Sequence, residues 1–198
     1  MKGIKTTLLA FILVSIFSVQ ADAAQVLSIN LEKTVSGADV AFSGVCTKAY
    51  AHKLDNGLLA TTYDFNVLDD LKGNVADTFS FTQWGATLED SKKYAAPYIY
   101  GMPKYSVGDE YLVFLTAETS LGLRAPVGLG QGKFNIIRAS NGTKTVKNDH
   151  NNRSIFSDLK MTKGMVKNLK ASSISTTSPG PMNYDAFVNI VKDLEKGE

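Results

Sequence analysis

Cysteine is almost missing from this chain. Cys46 is the only one, so no disulfide can form within the molecule and stability has to come from packing. Histidine is nearly as scarce. His52 and His150 stand far apart, without the H-E-x-x-H spacing that places two imidazoles on one helix face for zinc. No C-x-x-C pair, G-x-S-x-G nucleophile elbow or G-x-x-x-x-G-K-[ST] phosphate loop occurs. The glycine-rich run "GLGQGK" at 128–133 leads into a strand-like segment rather than a helix. It therefore reads as backbone bending and not as a phosphate cradle. Asp69-Asp70 and Asp109-Glu110 are paired carboxylates at expected turns, where neighbouring side chains diverge and stay solvated. The expectation is a protein without enzymatic activity, metal or cofactor. Charge of one sign is also lacking: the formal net charge is +2, which gives no electrostatic ground for nucleic acid as a partner.

Long apolar runs are absent after the first segment. That segment has two lysines in "MKGIK", the apolar run "TTLLAFILVSIFSV", and small residues in "ADAA". This is the layout of a secretory signal peptide over residues 1–23, cut after Ala23. The apolar run of about 14 residues falls short of the ~20 that span a bilayer. The mature chain is expected to be exported, to the periplasm or the medium, with no transmembrane segment once the leader is removed.

Alternation dominates the middle of the chain. "SINLEKTVSGAD" has Leu31 and Val35 four apart before Gly37 and reads as a short helix. "DVAFSGVCTKAYAHK" puts Val40, Phe42 and Cys46 on one face of a first strand. "LLATTYDFNVLDDLKG" does the same with Tyr63, Phe65 and Val67, and "DTFSFTQW" with Phe79 and Phe81. Asn56-Gly57 and "KGN" at 72–74 supply the turns of an antiparallel meander. "YLVFL", Tyr111 to Leu115, is apolar without interruption. It reads as a strand covered on both faces or as a central stave of a small barrel. Lys133 to Ile137 makes a last strand, which "NGTKTVKN" extends. Residues 24–150 thus form the β domain, residues 151–182 a polar segment and linker, and residues 183–196 a helix. That helix has Asn183 as its cap and Phe187, Val191 and Leu194 along one side. The fold class expected is mainly β: a small five-stranded, OB-like antiparallel barrel with a helix at each end. An immunoglobulin-like sandwich is the alternative, disfavoured because clear strands number nearer five than seven.

The order "ADVAFSGVCTKA", "YDFNVLDDLKGN", "DTFSFTQWG", "VGDEYLVFL", "LGQGKFNI" resembles the netrin/tissue-inhibitor-of-metalloproteinase-like domain, as found in exported bacterial proteins of unknown role. The matching pieces are Ala38-Asp39-Val40, Val67 to Gly73, and Gly108 to Leu112, within roughly residues 30–140. The resemblance implies a barrel and a protein partner, such as a secreted or cell-envelope protease. The animal inhibitors' N-terminal cysteine and disulfides have no counterpart here, because the expected mature start is Ala24-Gln25-Val26. The inhibitory residues are therefore not carried over.

The aromatic connection "YAAPYIYGMPKY" is the candidate binding surface. Tyr94, Tyr98, Tyr100 and Tyr105, with Trp84 before them, combine apolar area with polar tips, as binding surfaces do. The plainer reading is a connection that packs across one end of the barrel. "KMTKGMVKNLK" at 160–170 has Met161, Met165 and Leu169 four apart among lysines. As a helix it is a second surface, suited to an anionic membrane or partner. A glycan- or small-ligand-binding barrel of the cell envelope, using strands two and three and Trp84, is the alternative to protein docking.

Overall fold

In the computed structural model, residues 27–160, 162–171 and 180–197 are described. The leader at 1–23, Met161 and most of the serine-rich linker lie outside these residues.

Asn30 opens α1 (Leu31–Ser36) by accepting the Lys33 amide at 2.9 Å on its side-chain oxygen, and Gly37 closes it. The chain then forms β1 (Val40–Lys53), β2 (Leu59–Lys72) and β3 (Thr78–Trp84), the expected meander. A long connection carrying a short helix, α2 (Leu88–Lys93), leads to β4 (Glu110–Leu115). β4 returns beside β1, with Val40 opposite Leu115 and Val45 opposite Glu110. Three hairpin-linked strands with the fourth beside the first make a Greek key. A 3₁₀ turn (Leu129–Gln131) precedes β5 (Lys133–Arg138), and β6 (Lys144–Asn148) follows. α3 (Lys163–Ala171), β7 (Met182–Asn183) and α4 (Tyr184–Glu195) are the last elements among the described residues.

The molecule is mainly β, but the strands differ from expectation in number and closure. Among the described residues seven strands form one antiparallel sheet in the order β3-β2-β1-β4-β5-β6-β7, in place of the expected closed five-stranded barrel. β6 is a strand in its own right, turned by Asn141-Gly142, and the two residues of β7 add an edge too short for sequence alternation to reveal. No ladder joins β3 to β5 or β7 among the described residues. The β3 edge meets only an isolated bridge, Thr82 to Leu123, with the Arg124 amide donating to the Thr82 carbonyl at 2.9 Å.

β1 bends through register shifts against β2, one of them between Ser43 and Gly44. The strands approach so closely there that a Cβ on Gly44 would lie 2.6 Å from the Asn66 carbonyl oxygen. The curved sheet has a core on each face. On one side Phe42, Tyr63, Phe65, Phe81, Tyr105 and Tyr111 form an aromatic cluster with Val113 and Leu115. Its rings meet mostly edge to face, as at Tyr63–Tyr105, 4.8 Å between centroids. On the other side Ala41, Leu112, Phe114, Phe134 and Val146 pack against α1, α3 and α4. β4 is therefore apolar without interruption because Tyr111, Val113 and Leu115 enter one core while Leu112 and Phe114 enter the other.

The acidic turn before β4 is less solvated than expected. Glu110 is mostly covered and meets Lys144 at 2.5 Å and Arg138 at 3.5 Å. Asp69 likewise accepts hydrogen bonds from Ser43 and Tyr184, which ties α4 to β1 and β2. α4 docks on its own sheet, with Phe187 packed 4.8 Å from Phe134, centroid to centroid. Met165 and Leu169 of α3 are buried in the same core, so the apolar side of that helix is occupied from within. No helix among the described residues is long and apolar enough to cross a membrane.

Candidate functional site

The connection from Tyr94 to Tyr105 is strapped across the end of the meander. The Tyr94 hydroxyl donates to the Ala51 carbonyl at 3.3 Å. Ile99 packs where a Cβ on Gly85 would stand, 3.1 Å away. The buried Gln83 amide donates to the Pro103 carbonyl at 2.7 Å. These anchors present the segment between them to solvent. Tyr98 and Tyr100 meet edge to face at 4.7 Å. The Lys104 ammonium lies 4.6 Å from the centre of the Tyr98 ring and donates to its hydroxyl at 3.1 Å. Tyr100 is 84% exposed.

The five aromatic candidates do not form one patch. Tyr98 and Tyr100 are together. Tyr94 sits apart at the end of β1, with Lys93 5.3 Å from its ring. Trp84 is 44% exposed on the edge strand β3, and no ring contact joins it to the tyrosines among the described residues. Tyr105 is not at the surface: it is 4% exposed and packs on Tyr63, Phe65, Phe81 and Tyr111. Burial pushes its phenol well above the ordinary range, and its hydroxyl has no hydrogen-bond partner among the described residues. It follows two residues after the Pro103 anchor, which turns the chain from solvent into the core.

Beside the Tyr98–Lys104 segment lies a cleft of about 790 Å³. One wall comes from Gly101 to Lys104, another from the 3₁₀ turn at Leu129-Gly130, and a third from Asp149, His150 and Arg153. Lys133 reaches it from the start of β5. Its ammonium is nearly covered, 3.4 Å from Asp149 and 5.2 Å from the centre of the Tyr111 ring. Asn135 also donates to Asp149, at 3.2 Å.

Two buried asparagines hold the wall that carries His150 and Arg153. The Asn148 side-chain oxygen accepts from the amides of His150 at 3.0 Å and Asn152 at 2.7 Å. Asn152 accepts from the Asn148 amide at 2.8 Å and donates to the carbonyls of Val146 and Gly180. Each satisfies backbone groups that burial would otherwise leave unpaired. On the opposite wall the chain folds back so tightly that a Cβ on Gly132 would lie 2.3 Å from the Val127 carbonyl oxygen. The run "GLGQGK" is thus a bend, as its sequence implies, but the bend builds a cleft.

Lys104, Lys133, Asp149, His150 and Arg153 were not legible as a group. They come from three stretches of chain that β5 and β6 bring together. The available signals were the glycine run and the turn-rich "NDHNNR", which point to tight backbone and not to a shared cleft. Among the described residues no group of three or more His, Cys, Asp and Glu side chains is placed to hold a metal ion. No protein-family model matches this chain. No curated protein matches it either.

Proposed function

We propose that the protein is an exported binding module, without enzymatic activity of its own, that docks on another secreted or cell-envelope protein. The observation that carries this reading is the Tyr98–Tyr100 pair. Two tyrosines that meet edge to face, one beneath a lysine and one almost fully exposed, offer a partner apolar area with polar tips. Anchoring at Ala51, Gly85 and Pro103 keeps the pair in place before a partner arrives.

A netrin-like, OB-like fold accords with the order β3-β2-β1-β4-β5 within the sheet, a Greek key carried one strand further. That resemblance is the ground for naming a protease as the class of partner. The leader sequence is the ground for placing the protein outside the cytoplasm.

The test is capture from the exported and envelope fractions of the source cells by the immobilised chain from Ala24 onward. A protein retained by the wild type and lost with Tyr98→Ala/Tyr100→Ala supports the reading. Retention that the double substitution leaves unchanged overturns the proposed face.

A further inference from the structure

We propose that the cleft between Lys104, Leu129-Gly130 and Arg153 is a binding site for a small, multiply charged anion carrying carboxylate or phosphate groups. This goes beyond protein docking: the cleft shares Lys104 with the Tyr98–Tyr100 pair and adds Lys133, His150 and Arg153, which the pair does not touch.

Charge is the first argument. Lys104, Lys133 and Arg153 face the cleft with His150, against Asp149 as the one carboxylate among the described residues that line it. Asp149 is already engaged by Lys133 and Asn135. The Arg153 side chain has no ion-pair partner among the described residues, unlike Arg124, which meets Asp39 at 2.7 Å, or Arg138, which meets Glu110 at 3.5 Å. A guanidinium left open in a cleft that two ammonium groups also line suits an oxyanion that takes a two-pronged hydrogen bond.

Construction is the second argument. Lys133 is held nine-tenths buried between a carboxylate and the faces of Tyr111 and Tyr105. Lys104 is fixed on Tyr98. The turn bearing Arg153 is locked by the Asn148–Asn152 exchange. Lys104 and Lys133 are therefore placed by their contacts, and the backbone that carries the exposed Arg153 is fixed. Gly130 lets its turn close against Asp149, whose Cβ would lie 3.0 Å from a Cβ there, while the space beside Gly101 is open. A volume of about 790 Å³ lies in the range of small-molecule sites. Two or more negative groups fit better than one, because Lys104, Lys133 and Arg153 reach the cleft from three different stretches of chain.

Isothermal titration of the chain from Ala24 onward with citrate, with inorganic pyrophosphate and with acetate tests this. Citrate and pyrophosphate separate carboxylate from phosphate chemistry, and acetate reports the need for more than one charge. Expected is millimolar or tighter binding of at least one multivalent probe at low salt, acetate being weaker, with loss of affinity as salt screens the site. Arg153→Ala weakens that binding about fivefold or more, and Asp149→Asn, which removes the competing carboxylate, tightens it by a similar factor. Circular dichroism confirms that each variant is folded. Absence of binding by both multivalent probes at about 10 mM, or binding that Arg153→Ala leaves unchanged, overturns the proposal. The titration needs no protein partner and the capture needs no added anion, so failure here and failure of the docking face are told apart.

Discussion

Cys46 and Tyr63 share the aromatic core, and both resist ionisation there. Burial pushes the Cys46 thiol from 9.0 up to about 11 and the Tyr63 phenol from 10.0 up to about 12. In the unfolded chain both groups lose their protons at the lower values. The native state therefore holds more protons than the unfolded one above about pH 9, and stability falls with rising pH. The contribution is complete below about pH 9 and is lost progressively toward pH 12. Denaturant midpoints measured at pH 8, 10 and 11 are expected to decrease in that order, with Cys46→Ala flattening the part between pH 9 and 11. A midpoint constant from pH 8 to 11 contradicts the burial of these two groups. The same residue scale explains why Tyr105 misleads when read from sequence. A tyrosine beside an exposed aromatic run looks like part of it, and only the anchoring of Pro103 by Gln83 shows where the chain turns inward.

At the scale of elements, local periodicity carries most of what was legible. The apolar alternation of β1, β2 and β3 follows from the step of two that a strand imposes, and α4 is visible through its cap and its Phe187, Val191 and Leu194 spacing. Elements defined by tertiary pairing were not legible. β7 is two residues long and exists because β6 offers it an edge. α2 is six residues capped by Thr87 inside a connection with no apolar period. The cleft falls in the same class, since its residues are joined by the β5–β6 pairing and by two buried asparagines. α4 closes the second core. Its Phe187 is fully buried against Phe134, and its Tyr184 reaches Ser43 at 2.8 Å. Phe187→Ala is expected to cost about 3–5 kcal/mol in urea unfolding. A cost under about 1 kcal/mol contradicts the docking of α4 as described.

At the scale of the whole molecule, the described residues form one antiparallel sheet with a core on each face, one rich in aromatic rings and one mixed and covered by helices. This arrangement lets a chain with one cysteine do without disulfides: both faces of β4 and the first half of β1 are sealed by packing. It also leaves function to the periphery. The Tyr98–Tyr100 pair and the basic cleft lie next to one another, Tyr98 and Lys104 lining the cleft, held by a connection that the fold straps down. Docking through this region is the central claim, and the footprint of a bound partner tests it most directly. Hydrogen exchange of the chain from Ala24 onward, alone and with its captured partner, is expected to show new protection over residues 98–104, with β6 and α4 unchanged. Protection confined to the β3 edge, or to α3 and α4, contradicts the account and moves the docking face to the opposite side of the sheet or to its rim.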